Sequence, residues 1–359
     1  MEMTSPSTKF WQGRRVLLTG HTGFKGGWLA CWLNMMKAKV YGYSLAPATT
    51  PNLYTCLQLP YEAEAIADLR DYKRTSNFVD KVRPEFVFHL AAQPLVRRGY
   101  HDPIDTFSTN IMGTTNLLEG LRKVDSVEAI VVVTSDKAYE NIPSSEAYEP
   151  KLFREGDTLG GVDPYSASKS AQEIITRSFS ESYFRQKTVR VATARAGNVI
   201  GGGDWSEDRL MTDILKAVIE QKPIPLRHPS ATRPWQHVLE PLAGYLLYAE
   251  ALASGTIEDA TLNFGPSRSD TVIDIVETVL SLWPNNSGWI AETSYEPETQ
   301  ALELDPTRAL STLGWKTRLT TDQAVSMAVT WHKSYRDQGD AIKITKDQIS
   351  MYEEILKKP

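Results

Sequence analysis

The run Arg14-Arg15-Val16-Leu17-Leu18-Thr19-Gly20-His21-Thr22-Gly23-Phe24-Lys25-Gly26-Gly27-Trp28-Leu29-Ala30-Cys31-Trp32-Leu33-Asn34-Met35-Met36-Lys37 decides the fold. A strand-like stretch from Arg14 to Thr19 leads directly into a glycine turn, and the turn into a helix-patterned stretch from Gly27 to Lys37. Gly20, Gly23 and Gly26 give the spacing G-x-x-G-x-x-G. Glycines at such a turn let backbone N–H groups at a helix N-terminus approach a pyrophosphate with no Cβ in the way. No G-K-S/T closes the motif, which argues against a P-loop.

Working outward, strands are read at Arg14 to Thr19, Val40 to Ser44, Ala65 to Asp68, Phe86 to Leu90, Ala129 to Ser135 and Val189 to Ala194. Helical patterns lie between them at Gly27 to Lys37, Tyr72 to Lys81, Thr106 to Arg122 and Tyr165 to Arg185. Apolar strands alternating with helices predict an α/β fold, a doubly wound parallel sheet of Rossmann type, with a smaller C-terminal α+β substrate domain. Residues 1–195 are expected to form the dinucleotide-binding domain and 196–359 mainly the substrate domain, the chain returning to the sheet around 236–264. Helical periods recur at Thr271 to Leu282 and Thr321 to Tyr335.

The 359 residues carry 39 Lys+Arg against 44 Asp+Glu, a net charge of −5, which argues against a nucleic-acid surface. No apolar run reaches the roughly 18 residues that span a bilayer. The N-terminal stretch lacks a signal-peptide pattern, so no membrane association and a cytoplasmic location are expected. Cys31 and Cys56, with no metal-ligand spacing, read as core residues of a reducing compartment. No metal is expected, and His89, His228 and His237 are read as structural.

Tyr165-Ser166-Ala167-Ser168-Lys169 places a phenol and an ammonium at i and i+4 on one helix face. Lys169, with a positive nicotinamide ring, is expected to lower the phenol pKa so that Tyr165 accepts an alcohol proton. The stretch from Val40 to Tyr61 has no charged residue. Without Arg or Lys there, NAD is preferred to NADP. Without Asp or Glu, NAD is expected to be held weakly, with adenosine contacts from Ser44 and from Asp68 and Leu69.

These motifs, with His89-Leu90-Ala91-Ala92 and with Asn110 in TNIMGTTNLLE, resemble the extended short-chain dehydrogenase/reductase family. GHTGFKG (20 to 26), AAQPLVR (91 to 97), TSDKAY (134 to 139), YSASK (165 to 169) and RAGNVIGGGDW (195 to 205) resemble its nucleotide-sugar 4,6-dehydratases, from about Arg14 to Trp315. The resemblance implies an NAD-dependent oxidation, elimination and reduction of a nucleotide sugar, CDP-glucose in particular, giving a 4-keto-6-deoxy product. It implies cofactor contacts from Gly20, Thr22, Gly23, Phe24, Lys25, Gly26, Leu90, Ala91, Ala92, Asn110, Thr134, Tyr165 and Lys169.

In the same reading Ser135 bonds the C4 oxygen and Asp136 is the acid for the C6 hydroxyl. Lys137 stands where related dehydratases carry a glutamate. Either it is the C5 base, or it pairs with Asp136 and another group takes the proton. Gln93 and Arg97 are expected to border the sugar. Asn198, Arg209, Arg227, Arg233 and Arg308 are candidates for the diphosphate, a dianion suited to guanidinium forks. Pairing through helices around Thr106 to Arg122 and Tyr165 to Arg185 is implied, as a homodimer or dimer of dimers. A dehydratase or 4-epimerase for another nucleotide sugar is the alternative, and a non-catalytic NAD-sensing protein a remote one.

Overall fold

The computed structural model describes residues 5–141, 151–258, 260–266, 268–292 and 302–358. Seven parallel strands form one sheet: β1 (Arg15–Thr19), β2 (Lys39–Ser44), β3 (Ala63–Ile66), β4 (Phe86–His89), β5 (Ala129–Val133), β6 (Arg190–Ala196) and β7 (Thr261–Phe264). Their order is β7-β6-β5-β4-β1-β2-β3. The doubly wound expectation is met, with the reversal of direction between β1 and β4, the position at whose carboxyl ends such sheets bind ligands.

The central strands are apolar along their whole length because helices cover both faces. All five residues of β5, AIVVV, are buried. Val16 of β1 lies beside Val40 of β2 and Phe86 of β4. The covering helices are α1 (Phe24–Met35), α2 (Tyr72–Val82), α3 (Gly113–Leu121), α4 (Pro164–Phe179) and, on the return of the chain, α6 (Leu239–Ser254), with α5 (Leu210–Ile219) intervening in the sequence. Fourteen residues of α6 are buried. This helix and β7 carry the chain back into the sheet.

Several boundaries differ from the sequence pattern. The stretch Thr106 to Arg122 is not one helix: Pro103–Phe107 and α3 are separated by a π-helical turn, Ser108–Met112. The helix expected to reach Arg185 gives way after Phe179 to a second π turn, Ser180–Phe184. β5 stops at Val133, two residues early, and a 3-10 turn occupies Asp136–Ala138.

The substrate side is built on α5 and α7 (Val272–Leu282), whose Ile214, Leu215, Val276 and Val279 form a second apolar cluster with Val325 and Val329. The last helices, α8 (Thr321–Gln338) and α9 (Ala341–Leu356), return to the nucleotide-binding half. Ile349 and Tyr352 of α9 share the main core with Trp28 and Trp32 of α1, and Trp32 Nε1 donates to Glu353 at 2.8 Å. Among the described residues, no helix is long and apolar enough to cross a membrane. Cys31 is buried, which pushes its thiol up to about 12, and Cys56 lies 3.2 Å from the Tyr335 hydroxyl.

Candidate active site

The glycine turn is held closed by its own backbone. Gly20 has φ +78, and a Cβ there would stand 2.8 Å from the Ala91 nitrogen; one on Gly26 would stand 2.1 Å from the Gly20 carbonyl oxygen. The loops after β1 and β4 thus touch through main chain, and α1 starts as close to β1 as the chain allows. Gly23 is the N-cap of α1, and no side chain caps it. The leading N–H groups of that helix therefore have no side-chain acceptor, which fits a dinucleotide pyrophosphate. Thr22 Oγ1 donates to the Leu45 carbonyl at 2.8 Å and lies 2.8 Å from Ser44 Oγ, so Ser44 borders the turn. The Phe24 ring lies against Gly201 on the substrate side.

An acidic residue does reach the turn, from β3 rather than β2. Glu64 Oε2 meets His21 Nε2 at 3.0 Å, and the Tyr54 hydroxyl also donates to that carboxylate. Burial lowers the His21 pKa, against the pull of Glu64. Asp68 is engaged by Arg70, at 2.6 Å, which also reaches Asp105 at 2.8 Å. This guanidinium holds the Asp68 carboxyl below its usual range. The Leu69 side chain is in the core.

Helix α4 begins where Asp163 accepts the Ser166 N–H at 3.0 Å and Pro164 occupies the first turn, a strong N-terminal signal. That start buries Tyr165 near Ser135, just past the end of β5. Burial pushes the phenol up to about 12, with Ser135 and Arg209 pulling against it. Lys169 Nζ donates to Gln172 at 2.9 Å and to the Val133 carbonyl at 3.3 Å. Burial, followed by the Lys25 cation, pushes its pKa down to about 7. Without the nicotinamide ring, desolvation dominates at Tyr165, and the Lys169 ammonium donates to Gln172 and the Val133 carbonyl.

Because β5 ends early, Ser135, Asp136 and Lys137 follow one another around a tight turn instead of alternating across a sheet. Ser135 Oγ donates to Asp136 Oδ1 at 2.8 Å, and Lys137 Nζ stands 3.8 Å from the same oxygen. Asp136 is buried, and its Oδ2 has no hydrogen-bond partner among the described residues. Lys25 joins this group: burial, then the Arg209 cation, push its pKa down to about 8, while Asp136 raises it. Tyr165, Asp136, Lys25, Lys169 and Arg209 therefore form one electrostatic cluster.

Three expected contacts turn inward. Gln93 gives its side-chain amide to the Leu95 carbonyl at 3.0 Å and to Thr106 at 2.8 Å, and accepts the Leu95 N–H. It braces its loop. Asn110, on the π turn, accepts the Gln93 N–H at 2.8 Å and donates to Ser168 at 2.8 Å, tying the loop after β4 to α4. Thr134 bonds Glu173. Leu90 and Ala92 are half-buried on the same loop as Ala91.

The arginines divide. Arg209 Nε is buried with no partner among the described residues, and Arg97 holds the neighbouring Asp208 at 2.8 Å. Arg233 is buried and donates to the Thr232 carbonyl, while the Asn198 carbonyl accepts the Gln236 N–H at 3.1 Å. Arg227 pairs with Glu292 at 3.4 Å and Arg308 with Glu155 at 3.6 Å. Those two guanidiniums are engaged by carboxylates outside the catalytic cluster, unlike Arg209.

A buried group escaped the sequence reading. Glu173 accepts from Thr193 at 2.7 Å and from Arg195 at 2.8 Å, and the Arg195 guanidinium lies over the Tyr139 ring at 4.6 Å. Its signal was present, since Glu173 follows Lys169 by one further helical turn. His89 bridges Thr19 and Thr114 at 2.7 and 2.8 Å, and burial pushes it down to about 3. Among the described residues no cluster of His, Cys, Asp or Glu could hold a metal ion.

Known proteins share this arrangement. The family model described as GDP-mannose 4,6 dehydratase matches residues 17–328. The CDP-glucose 4,6-dehydratase of Salmonella typhimurium is 43% identical over 353 residues, 96% of this chain and 97% of that protein. The dTDP-glucose 4,6-dehydratase of Xanthomonas campestris pv. campestris is 25% identical, covering 88% of this chain and 92% of that one. Among solved structures, UDP-glucose 4-epimerase of Thermotoga maritima superposes with a TM-score of 0.78 at 20% identity, over 89% of this chain and 99% of that chain. The dTDP-glucose 4,6-dehydratase of Bacillus anthracis, in complex with NAD, does so with 0.75 at 18%, over 92% and 100%. A glycine turn closed against Ala91, a buried phenol near Ser135 and a match over most of the chain agree, and the chain belongs to the GDP-mannose 4,6-dehydratase family of extended short-chain dehydrogenases/reductases.

Proposed function

We propose that the protein converts CDP-D-glucose to CDP-4-keto-6-deoxy-D-glucose and water. The observation that carries this is the placement of Asp136 and Lys137 on the turn beside the pair Ser135 and buried Tyr165. An epimerase needs only the second pair, whereas a dehydratase needs a further acid and base. The 43% identity to a CDP-glucose enzyme supports cytidine as the base.

NAD, held at the uncapped start of α1, would supply a two-electron store that takes hydride from C4 and returns it to C6. Tyr165 accepts the C4 hydroxyl proton while Ser135 bonds the same oxygen. The ketone so formed acidifies the C5 proton, which Lys137 removes. Asp136 protonates the C6 oxygen, and water leaves. Lys137 then returns the proton to C5. Arg209, its Nε unpartnered, and Arg233 face the diphosphate, with Asn198 at the phosphate nearest the sugar.

The product class suits deoxysugar synthesis for surface polysaccharide such as O-antigen or lipopolysaccharide, in the cytoplasm. Homodimer pairing is supported by apolar side chains exposed on the implicated helical stretches, among them Met112 at 49% and Ile174 at 60%. Incubation with CDP-, UDP-, dTDP- and GDP-glucose tests the reading. Loss of water is expected with the cytidine sugar by a wide margin; preference for another base, or epimerisation without dehydration, contradicts it.

A further inference from the structure

The segment Gly201-Gly202-Gly203-Asp204-Trp205 belongs to the most specific motif in the sequence, yet none of its residues enters the chemistry. The structure shows what the glycines are for. A Cβ on Gly202 would lie 2.0 Å from Cγ of Trp331, and one on Gly201 3.0 Å from the Phe24 ring. Gly203 has φ +78, a left-handed conformation that favours glycine. The segment is gripped from two sides. Trp28 of α1 donates through Nε1 to the Gly202 carbonyl at 2.9 Å, and the Gly203 N–H donates to Nε2 of His332 on α8 at 3.2 Å. Trp205 stands edge-on to Trp331 and His332 with centroids at 5.8 and 5.6 Å. Both α8 residues lie beyond the end of the family match at 328.

From this grip the chain runs directly to substrate groups. The Asp204 carbonyl accepts from Thr212 of α5 at 3.2 Å, and Arg209 is the residue on which α5 begins. Resting on the nucleotide-sugar reading above, we propose that His332 and Trp331 are positioning residues for substrate binding: by accepting the Gly203 amide and filling the space beside Gly202, they fix the 201–205 segment and so aim Arg209 at the diphosphate. His332 can accept because it is neutral, burial pushing its pKa down to about 4, with the proton on Nδ1.

The test compares His332→Leu, which cannot accept, with His332→Gln, which can, in the full-length enzyme with NAD and CDP-glucose. KM for CDP-glucose should rise about fivefold in His332→Leu, the equivalent of one neutral hydrogen bond, with kcat within about twofold and His332→Gln near the parent. Hydrogen exchange over residues 199–206, read without substrate, should quicken in His332→Leu alone. Unchanged KM, an equal loss in both variants, or a fall in kcat at constant KM would overturn the proposal. Should His332→Leu not fold, Gly202→Ala carries the comparison: a raised KM with kcat retained supports the grip, and an unchanged KM overturns it. Failure of the parent enzyme to turn over CDP-glucose would instead sink the functional reading, leaving the exchange result to judge the grip.

Discussion

Replacing Glu173 by glutamine removes a charge from the most deeply buried ion pair of the site while keeping its shape. Glu173 and Arg195 are each 3% exposed and 2.8 Å apart. Burial alone lowers the Arg195 pKa, but the hydrogen bond and charge of Glu173, with Tyr139, hold it well above the usual guanidinium value. Without the carboxylate the guanidinium is left unpaired in a dry site, a change that costs about 3–5 kcal/mol. In a chain of this size the thermal midpoint should fall by about 4–7 °C. The same carboxylate fixes Thr134 and, through Arg195, the Tyr139 ring, so it grips both ends of the segment carrying Ser135, Asp136 and Lys137. A displacement of about 1 Å there should lower kcat by up to about 100-fold. Calorimetric melting and steady-state turnover of E173Q and of the apolar double variant E173L/R195M separate the two effects. The double variant should regain most of the stability, since apolar replacement of a buried pair is often neutral, but not the turnover. A loss below about 1 kcal/mol in E173Q, or full activity in the double variant, would refute the reasoning.

Lys137→Ala should retain hydride exchange at C4 and lose solvent exchange at C5; retained C5 exchange, read by proton NMR in deuterated buffer, excludes Lys137 as the base. NAD should titrate into the purified protein by calorimetry with rapid exchange, because Glu64 beside the turn is taken up by His21 and Tyr54 and Asp68 by Arg70; copurification of tight, slowly released NAD contradicts this. Burial pushes Glu240 and Glu250 up to about 7, from about 4.3 in the unfolded chain. The folded state therefore binds their protons more tightly, and this stability is complete below about pH 4 and lost as pH rises through 7, by roughly 3 kcal/mol per group. Denaturant melts at pH 5 and 8 should show E240Q losing less stability with rising pH than the parent; equal slopes contradict the assignment.

The nucleotide-binding half was legible because its signals are local. RVLLT, the glycine turn and the apolar run of β5 each report burial in consecutive residues. β7 is four residues long and marked only by its place after α6, so its role in the sheet came from topology. The π turn at Ser108–Met112 has no pattern of its own; it exists because Asn110 must reach both Gln93 and Ser168. Within the site, residue types were readable but their directions were not. Arg227 and Arg308 carry the same charge as Arg209, and only the carboxylates facing them set them apart. The folding of the Gln93 amide back onto Leu95 and Thr106 and the desolvation that raises the Tyr165 phenol left no mark in the sequence.

The most direct test of the dehydratase reading is turnover of CDP-glucose deuterated at C4. Hydride taken from C4 and returned to C6 of the same sugar predicts a product whose new methyl group carries the deuterium. A product without a methyl group, or a methyl group without the label, would contradict it.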